Sequence, residues 1–244
     1  MRYVLLVAIL CITADQLAAQ VTRIDTVSYP NPIIPKRKQY NFNTDFWYTI
    51  ALRTYAYEQF PQLLNQPTGQ SPTLRSSFNG VLFKINDNQV AYRLQATHFN
   101  NDITFDHECD GCAEVAGKFR NTAIKVGAEK SVNYSRFQPY FGGDLGFMIQ
   151  KFNTKDQDPV VFAEDNKNAV LFSPFIGTKL YVVPRVAIGI EANFNIAYSY
   201  QKVNTYADNS FTGDPEQTKR YRWEYFFSPV AAVTLQYNFG LINQ

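Results

Sequence analysis

VAIGIEANFNIAYSYQ, residues 186–201, alternates over its whole length. Val186, Ile188, Ile190, Ala192, Phe194, Ile196, Tyr198 and Tyr200 share one parity. Ala187, Gly189, Glu191, Asn193, Asn195, Ala197, Ser199 and Gln201 share the other. Successive side chains of a strand point to opposite faces, so the stretch reads as a strand with one apolar face and one polar or small face. Strands of soluble sheets usually run about five or six residues. A strand this long raises the question of what its apolar face is turned toward.

The same period recurs at 46–57, 74–85, 89–99, 119–131, 137–152, 169–182 and 221–239, which brings the expected number of strands to eight. The first is the least distinctive, because TDFWYTIALRTYAYEQF also fits an amphipathic helix. Three connections are short: Asn86-Asp87-Asn88, VNYSR at 132–136, and Val183-Pro184-Arg185. Their residues suit tight turns. Four are long and rich in Asp, Asn, Gln, Thr, Gly and Pro: 58–73, 100–118, 153–168 and 202–220. Short and long connections alternate strictly. The expected fold is therefore all-β, an eight-stranded antiparallel up-and-down transmembrane β-barrel with short periplasmic turns and long extracellular loops. In hydrocarbon every backbone polar group needs a partner within the protein, so a sheet survives there only when closed. The rival is a soluble barrel or sandwich with its apolar face inward. Long strands, and polar faces carrying Gly and small residues, count against it.

Composition excludes other classes. The chain has 244 residues, 45% hydrophobic and 18% charged, with a net charge of +2. That balance argues against disorder. The sequence has no apolar run of about 20 residues of the kind a helical membrane bundle needs. No basic stripe suggests a nucleic-acid partner. The 20 Phe and 16 Tyr fit a lipid-facing surface with interfacial girdles. Phe137, Phe141, Phe147, Tyr198, Tyr200, Tyr225, Phe227, Tyr237 and Phe239 have the outward parity of their strands.

Residues 1–19 have the order of a secretory signal peptide: Arg2, then an apolar run to Ala14, then Leu17-Ala18-Ala19 before the expected cleavage. Two alternatives are a buried segment of the fold and a lipoprotein signal at Cys11, the latter opposed by the bulk of Leu10. Residues 20–43, with Pro30, Pro32 and Pro35 before Lys36-Arg37-Lys38, read as an extended periplasmic leader. The barrel then takes 44–244. Export places Cys109 and Cys112 in an oxidising compartment, and Asp110-Gly111 between them suits a turn, so a local disulfide is expected. A redox pair is the alternative, as is a metal held with His107 and Glu108. Ala113 stands where covalent haem attachment needs His.

Four stretches carry a family resemblance: FQPYFGGDLGF at 137–147, FSPFIGTKLY at 172–181, residues 187–200, and AVTLQYNFG at 232–240. They resemble strands of the eight-stranded outer-membrane β-barrel family (PorT-like, OmpA- or OmpX-like) of Bacteroidota-type Gram-negative bacteria. The resemblance covers about residues 46–240. The last stretch is similar to a barrel-assembly signal, with Leu235, Tyr237 and Phe239 alternating, although residues 240–244 follow the last aromatic. The resemblance implies an outer-membrane location and recognition by barrel-assembly machinery. Its PorT-like side implies an accessory role in secretion. A barrel of this kind hosts many activities, so the resemblance implies architecture more than function.

With the apolar parity outward, the lumen receives Arg53, Lys84, Arg93, Lys125, Glu129, Asp144, Lys179 and Glu191, joined by Arg222 and Glu224. An eight-stranded barrel is wide enough only for side chains to fill it, and mixed charges confined there should pair. The readings left open are a polar plug, a narrow ion path, and a catalytic carboxylate pair from Glu129, Asp144 or Glu191. The two histidines are His98, outward on its strand, and His107. Gly-x-Ser-x-Gly, Gly-x-Gly-x-x-Gly and P-loop motifs do not occur. Asp156, Asp158, Glu164 and Asp165 fit ligands of a hard cation or, as the plainer reading, a solvated loop face.

The expectation is a non-enzymatic barrel acting through its outer loops in binding or envelope integrity, without cofactor or metal. The alternatives are a narrow channel or a lipid- or peptide-modifying enzyme. Expected partners are outer-membrane lipid or lipopolysaccharide, the assembly machinery and an unidentified extracellular ligand.

Overall fold

Strands form wherever the two-residue period runs, and they continue past it. The computed structural model describes residues 46–64, 71–105, 115–154, 162–206 and 214–241, all within one compact unit, Tyr40–Gln244. The expected signal peptide, the expected leader, and Cys109 and Cys112 lie outside the described residues. The elements are β1 (Phe46–Gln59), β2 (Thr73–Ser76), β3 (Gly80–Asp87), β4 (Val90–Phe105), β5 (Val115–Ser131), β6 (Phe137–Thr154), β7 (Phe162–Val183), β8 (Val186–Tyr206) and β9 (Glu216–Leu241). No described residue is helical, so 46–59 is strand and not an amphipathic helix.

Each strand from β3 to β9 pairs antiparallel with the next, and β9 pairs antiparallel with β1, which closes the ring. Segments β2 and β3 both pair with β1: Ser76 is opposite Ala56 and Gly80 is opposite Arg53. The second stave thus advances one residue more than β1 between these points. That is a β-bulge, and Phe78 within it takes φ 52. The expected strand 74–85 is therefore one stave broken by a bulge, and the barrel has eight staves.

The short connections are two-residue hairpins at two sites. Asp87 pairs with Val90, leaving Asn88-Gln89, and Val183 pairs with Val186, leaving Pro184-Arg185. Asn88 sits at φ 56, a left-handed conformation that Asn tolerates better than most residues. The strands outrun expectation at the other end: β4 reaches Phe105, β7 starts at Phe162 and β9 at Glu216. Segment 162–168, expected in a loop, is strand.

A row of directly opposed residues shows how the faces sort. Leu94, Val126, Leu145, Phe172, Ile196 and Tyr225 follow one another across β4 to β9; Ile196 is half-buried and the other five are exposed. The inward parity is polar and buried, including Thr49, Gln95, Asn121, Ser173, Asn195 and Gln236. This inverts the arrangement of a soluble core. Pro229 falls where Glu191 pairs with Ala232 and Asn193 with Ser228, a bulge on β9 that accommodates a residue with no N–H to donate.

Candidate functional site in the barrel lumen

The half of the lumen toward the short turns is held by ions. Period 2 points one large polar side chain inward from each of seven strands: Lys84 (β3), Arg93 (β4), Glu129 (β5), Asp144 (β6), Lys179 (β7), Glu191 (β8) and Gln236 (β9). Glu129 sits at the centre. Its carboxylate accepts from Lys84 Nζ at 2.7 Å and Lys179 Nζ at 2.9 Å, and lies 3.5 Å from Arg93. Arg93 grips Glu191 with both terminal nitrogens, at 2.7 and 3.1 Å, and reaches Asp144 at 3.2 Å. Its guanidinium lies over the Phe175 ring, 4.0 Å from the centroid. Tyr140 donates to Glu191 at 3.3 Å and places its ring 5.4 and 5.0 Å from the Lys84 and Lys179 ammoniums. Lys84 also donates to Gln236, and Lys179 to Ser131.

Three cations meet three carboxylates here, so the cluster is neutral as a whole. That balance is what allows it to be buried: each ion has an opposite partner, and Lys84, Arg93, Lys179 and Glu191 make further hydrogen bonds. Small residues make room for it. A Cβ on Gly127 would come within 2.3 Å of Asp144 Oδ1, and one on Gly177 within 2.5 Å of the Tyr140 ring.

Four of the residues expected inside lie apart from this cluster: Arg53 and Lys125, and Arg222 and Glu224 in the other half. Lys125 bonds the neutral Ser173 and Asn195, at 3.1 and 3.2 Å. Arg53 pairs with Glu58 on its own strand and donates to the Ala231 carbonyl. Asp144 Oδ1 has no hydrogen-bond partner, as is also true of Asp165 Oδ1 in the other half of the lumen.

The half toward the long connections is filled differently. After β1 the chain turns into the lumen, and Phe60, Leu63 and Leu64 are buried there. The Phe60 ring packs edge-on against Phe99 and Phe119, with centroids 4.8 and 5.1 Å away. Phe152, Val203 and Ala163 complete the cluster. Polar groups from four further strands pin the segment's backbone. Gln150 donates to the Pro61 carbonyl at 3.4 Å, and Lys167 donates to that of Gln62. The Gln62 N–H donates to Glu224 at 3.2 Å, the Leu64 N–H to Asp165 at 2.7 Å, and Arg220 donates to the Leu64 carbonyl at 3.3 Å. Gln201 donates to Asp165 and also to the Leu64 carbonyl, at 3.5 Å. Arg222 donates to the Gln62 side chain at 3.0 Å, and Lys167 pairs with Glu224 at 2.9 Å. The expectation that 58–73 projects outward as a loop fails at its start, because 60–64 crosses the lumen.

The third-loop acids also need correction. Glu164 and Asp165 are consecutive residues on β7 and point to opposite faces, Glu164 toward Tyr206 at 3.3 Å and Asp165 toward Leu64. They do not converge on one cation. Asp156 and Asp158 lie outside the described residues. The sequence does not mark Tyr140, whose apolar ring hides its inward role, nor Asp165 and Lys167 as lumen residues, since they fall within the expected connection 153–168. Extending the period of β7 backward by three pairs would have found both. Outside the lumen, His98 is exposed with Nδ1 2.9 Å from Thr122 Oγ1. Leu235, Tyr237 and Phe239 lie on the closing seam, opposite Leu52, Ile50 and Tyr48.

Comparison with known proteins adds a likeness to a solved structure. No protein-family model matches the chain, and no curated protein matches it. The crystal structure of the outer membrane protein OprG from Pseudomonas aeruginosa is similar, at 12% identity and a TM-score of 0.47, covering 81% of this chain and 99% of that one. By its own strand pairing this chain is a closed antiparallel β-barrel with a side-chain-filled interior, ionic in one half and apolar in the other.

Proposed function

We propose that the chain is a non-enzymatic outer-membrane β-barrel protein whose lumen is closed, and that it acts through its long-loop end in binding or envelope integrity. The observation that carries the reading is the exposed apolar belt around a closed ring. A contiguous apolar surface of this extent is unsustainable in water and is the expected face of a barrel in lipid. Closure satisfies the backbone there. In this reading the short turns face the periplasm, and Leu235, Tyr237 and Phe239 on the seam are the strand that assembly machinery reads.

The closed lumen rests on two successive fillings, the neutral ion cluster and segment 60–64. All three candidate catalytic carboxylates are engaged by Lys84, Lys179 or Arg93, which favours a structural role over acid–base work. A channel is the competing reading. It is favoured by Asp144 Oδ1, which has no partner, and by Lys125, which has only neutral ones. Single-channel recording of the refolded full chain in a planar bilayer decides between them. The expected record is silent, with insertion verified by protease protection. Discrete steps that change in Asp144→Asn would establish the channel instead.

A further inference from the structure

A second row of directly opposed, outward-facing residues crosses the barrel further toward the long connections. It reads Asn100, Arg120, Lys151, Asn166, Lys202 and Lys219. The row holds four cations and no acid. Arg120 stands directly opposite Lys151, and like charges directly opposed destabilise a sheet. The next outward residues along the same strands are Lys118 and Asn153, themselves opposed. Together Lys118, Arg120, Lys151 and Asn153 line a small cleft of about 40 Å³.

The acids nearby are already placed. Asp102 is opposite Lys118, and Glu164 is opposite Asn153 and accepts from Tyr206. Arg120 and Lys151 have no ion partner among the described residues. Asp106, Glu108, Asp110, Asp156 and Asp158 belong to connections outside those residues.

The position of the cleft supplies the second argument. One pair back toward the short turns stand Thr122 and Ile149, then Ile124 and Phe147 of the apolar belt. The cations therefore begin where the belt ends on these two strands. Cations at that level of a membrane protein meet lipid headgroups, and Arg offers a planar fork matched to phosphate oxygens. A bound phosphate would relieve the repulsion between Arg120 and Lys151.

We propose that Lys118, Arg120, Lys151 and Asn153 form a binding site for the phosphate of a lipid headgroup in the leaflet on the long-loop side. This rests on the membrane reading above and names its lipid contact.

The test places the full-length protein in nanodiscs of phosphatidylcholine, with or without diphosphoryl lipid A, and quantifies retained lipid by native mass spectrometry. The wild type should retain diphosphoryl lipid A, and Arg120→Gln/Lys151→Gln should weaken retention about tenfold or more. Lys130→Gln, an exposed cation at the short-turn end, should leave it unchanged. Salt should weaken it in the wild type. Equal retention in the double variant, or equal retention of a dephosphorylated lipid A, overturns the proposal. Full displacement by inorganic phosphate at matched concentration reassigns the site to free phosphate and also overturns it. Protease protection in plain phosphatidylcholine vesicles separates the two readings. A wild type that inserts but shows no lipid preference sinks this site alone, whereas one that never inserts sinks the membrane reading with it.

Discussion

The two halves of the lumen solve one packing problem with opposite chemistry. Toward the short turns, seven strands each contribute a polar side chain to a neutral cluster around Glu129 and Arg93. Toward the long connections, the strands contribute Phe99, Phe119 and Phe152, and the chain itself supplies the missing volume with Phe60 and Leu63. An ion cluster fails abruptly, because removing one member strands the others in low dielectric. An apolar cluster fails gradually, roughly with the volume removed. The first half suits a part that must keep one arrangement. The second suits a part assembled from a segment that enters from outside the strands.

The largest predicted effect tests the abrupt half. Glu129→Gln leaves Lys84 and Lys179 without their shared anion and should cost about 3–5 kcal/mol in urea unfolding from micelles. Replacing Glu129, Lys84 and Lys179 together with apolar residues should cost much less. If the triple variant is no more stable than the single one, the cluster is not a coupled ion network. Phe60→Ala should come next, at about 3 kcal/mol, and should leave the ion cluster intact. Unfolding followed by tyrosine and tryptophan emission reports the loss. Lys167→Met removes the tether to Gln62 and Glu224 and should cost about 2 kcal/mol. In a double-mutant cycle with Phe60→Ala it should be non-additive, and strict additivity would mean that the tether and the plug are independent. The smallest effect belongs outside the lumen: Thr122→Val loses only the exposed contact with His98 and should stay within about 0.5 kcal/mol.

Conductance sharpens the same contrast. Replacing 60–64 by Gly and Ser should leave the barrel silent, because the ion cluster still fills the half beneath. Steps should require loss of both fillings, as in that variant combined with Arg93→Gln/Glu129→Gln. Conductance from the plug replacement alone would show that only the upper half seals.

Much of this was legible in the chain. The parity of 186–201 carried over to the other strands and placed the outward Tyr198 and the inward Glu191 before any coordinates. The turn residues located two hairpins to within one or two positions. The long-connection ends were misread for a physical reason. Beyond the belt both faces of β7 are polar, as at Asn166 and Lys167, so the alternation fades while the ladder continues. The bulge at Phe78 left no signal because even-numbered residues face inward on both sides of it, Leu74 before and Leu82 and Lys84 after, so the period runs through unbroken. The entry of 60–64 into the lumen left no signal either, since Phe-Pro-Gln-Leu-Leu has no period to read.

The sequence by itself determined which residues share a face, and hence which charges enter the lumen and which aromatics of the belt turn outward, because side-chain direction in a strand is local geometry. Only the tertiary structure decided who meets whom. The grip of Arg93 on Glu191 spans 98 residues, and the bond between Asp165 and Leu64 spans 101. Such pairs depend on the register and closure of the ring, which no single strand contains.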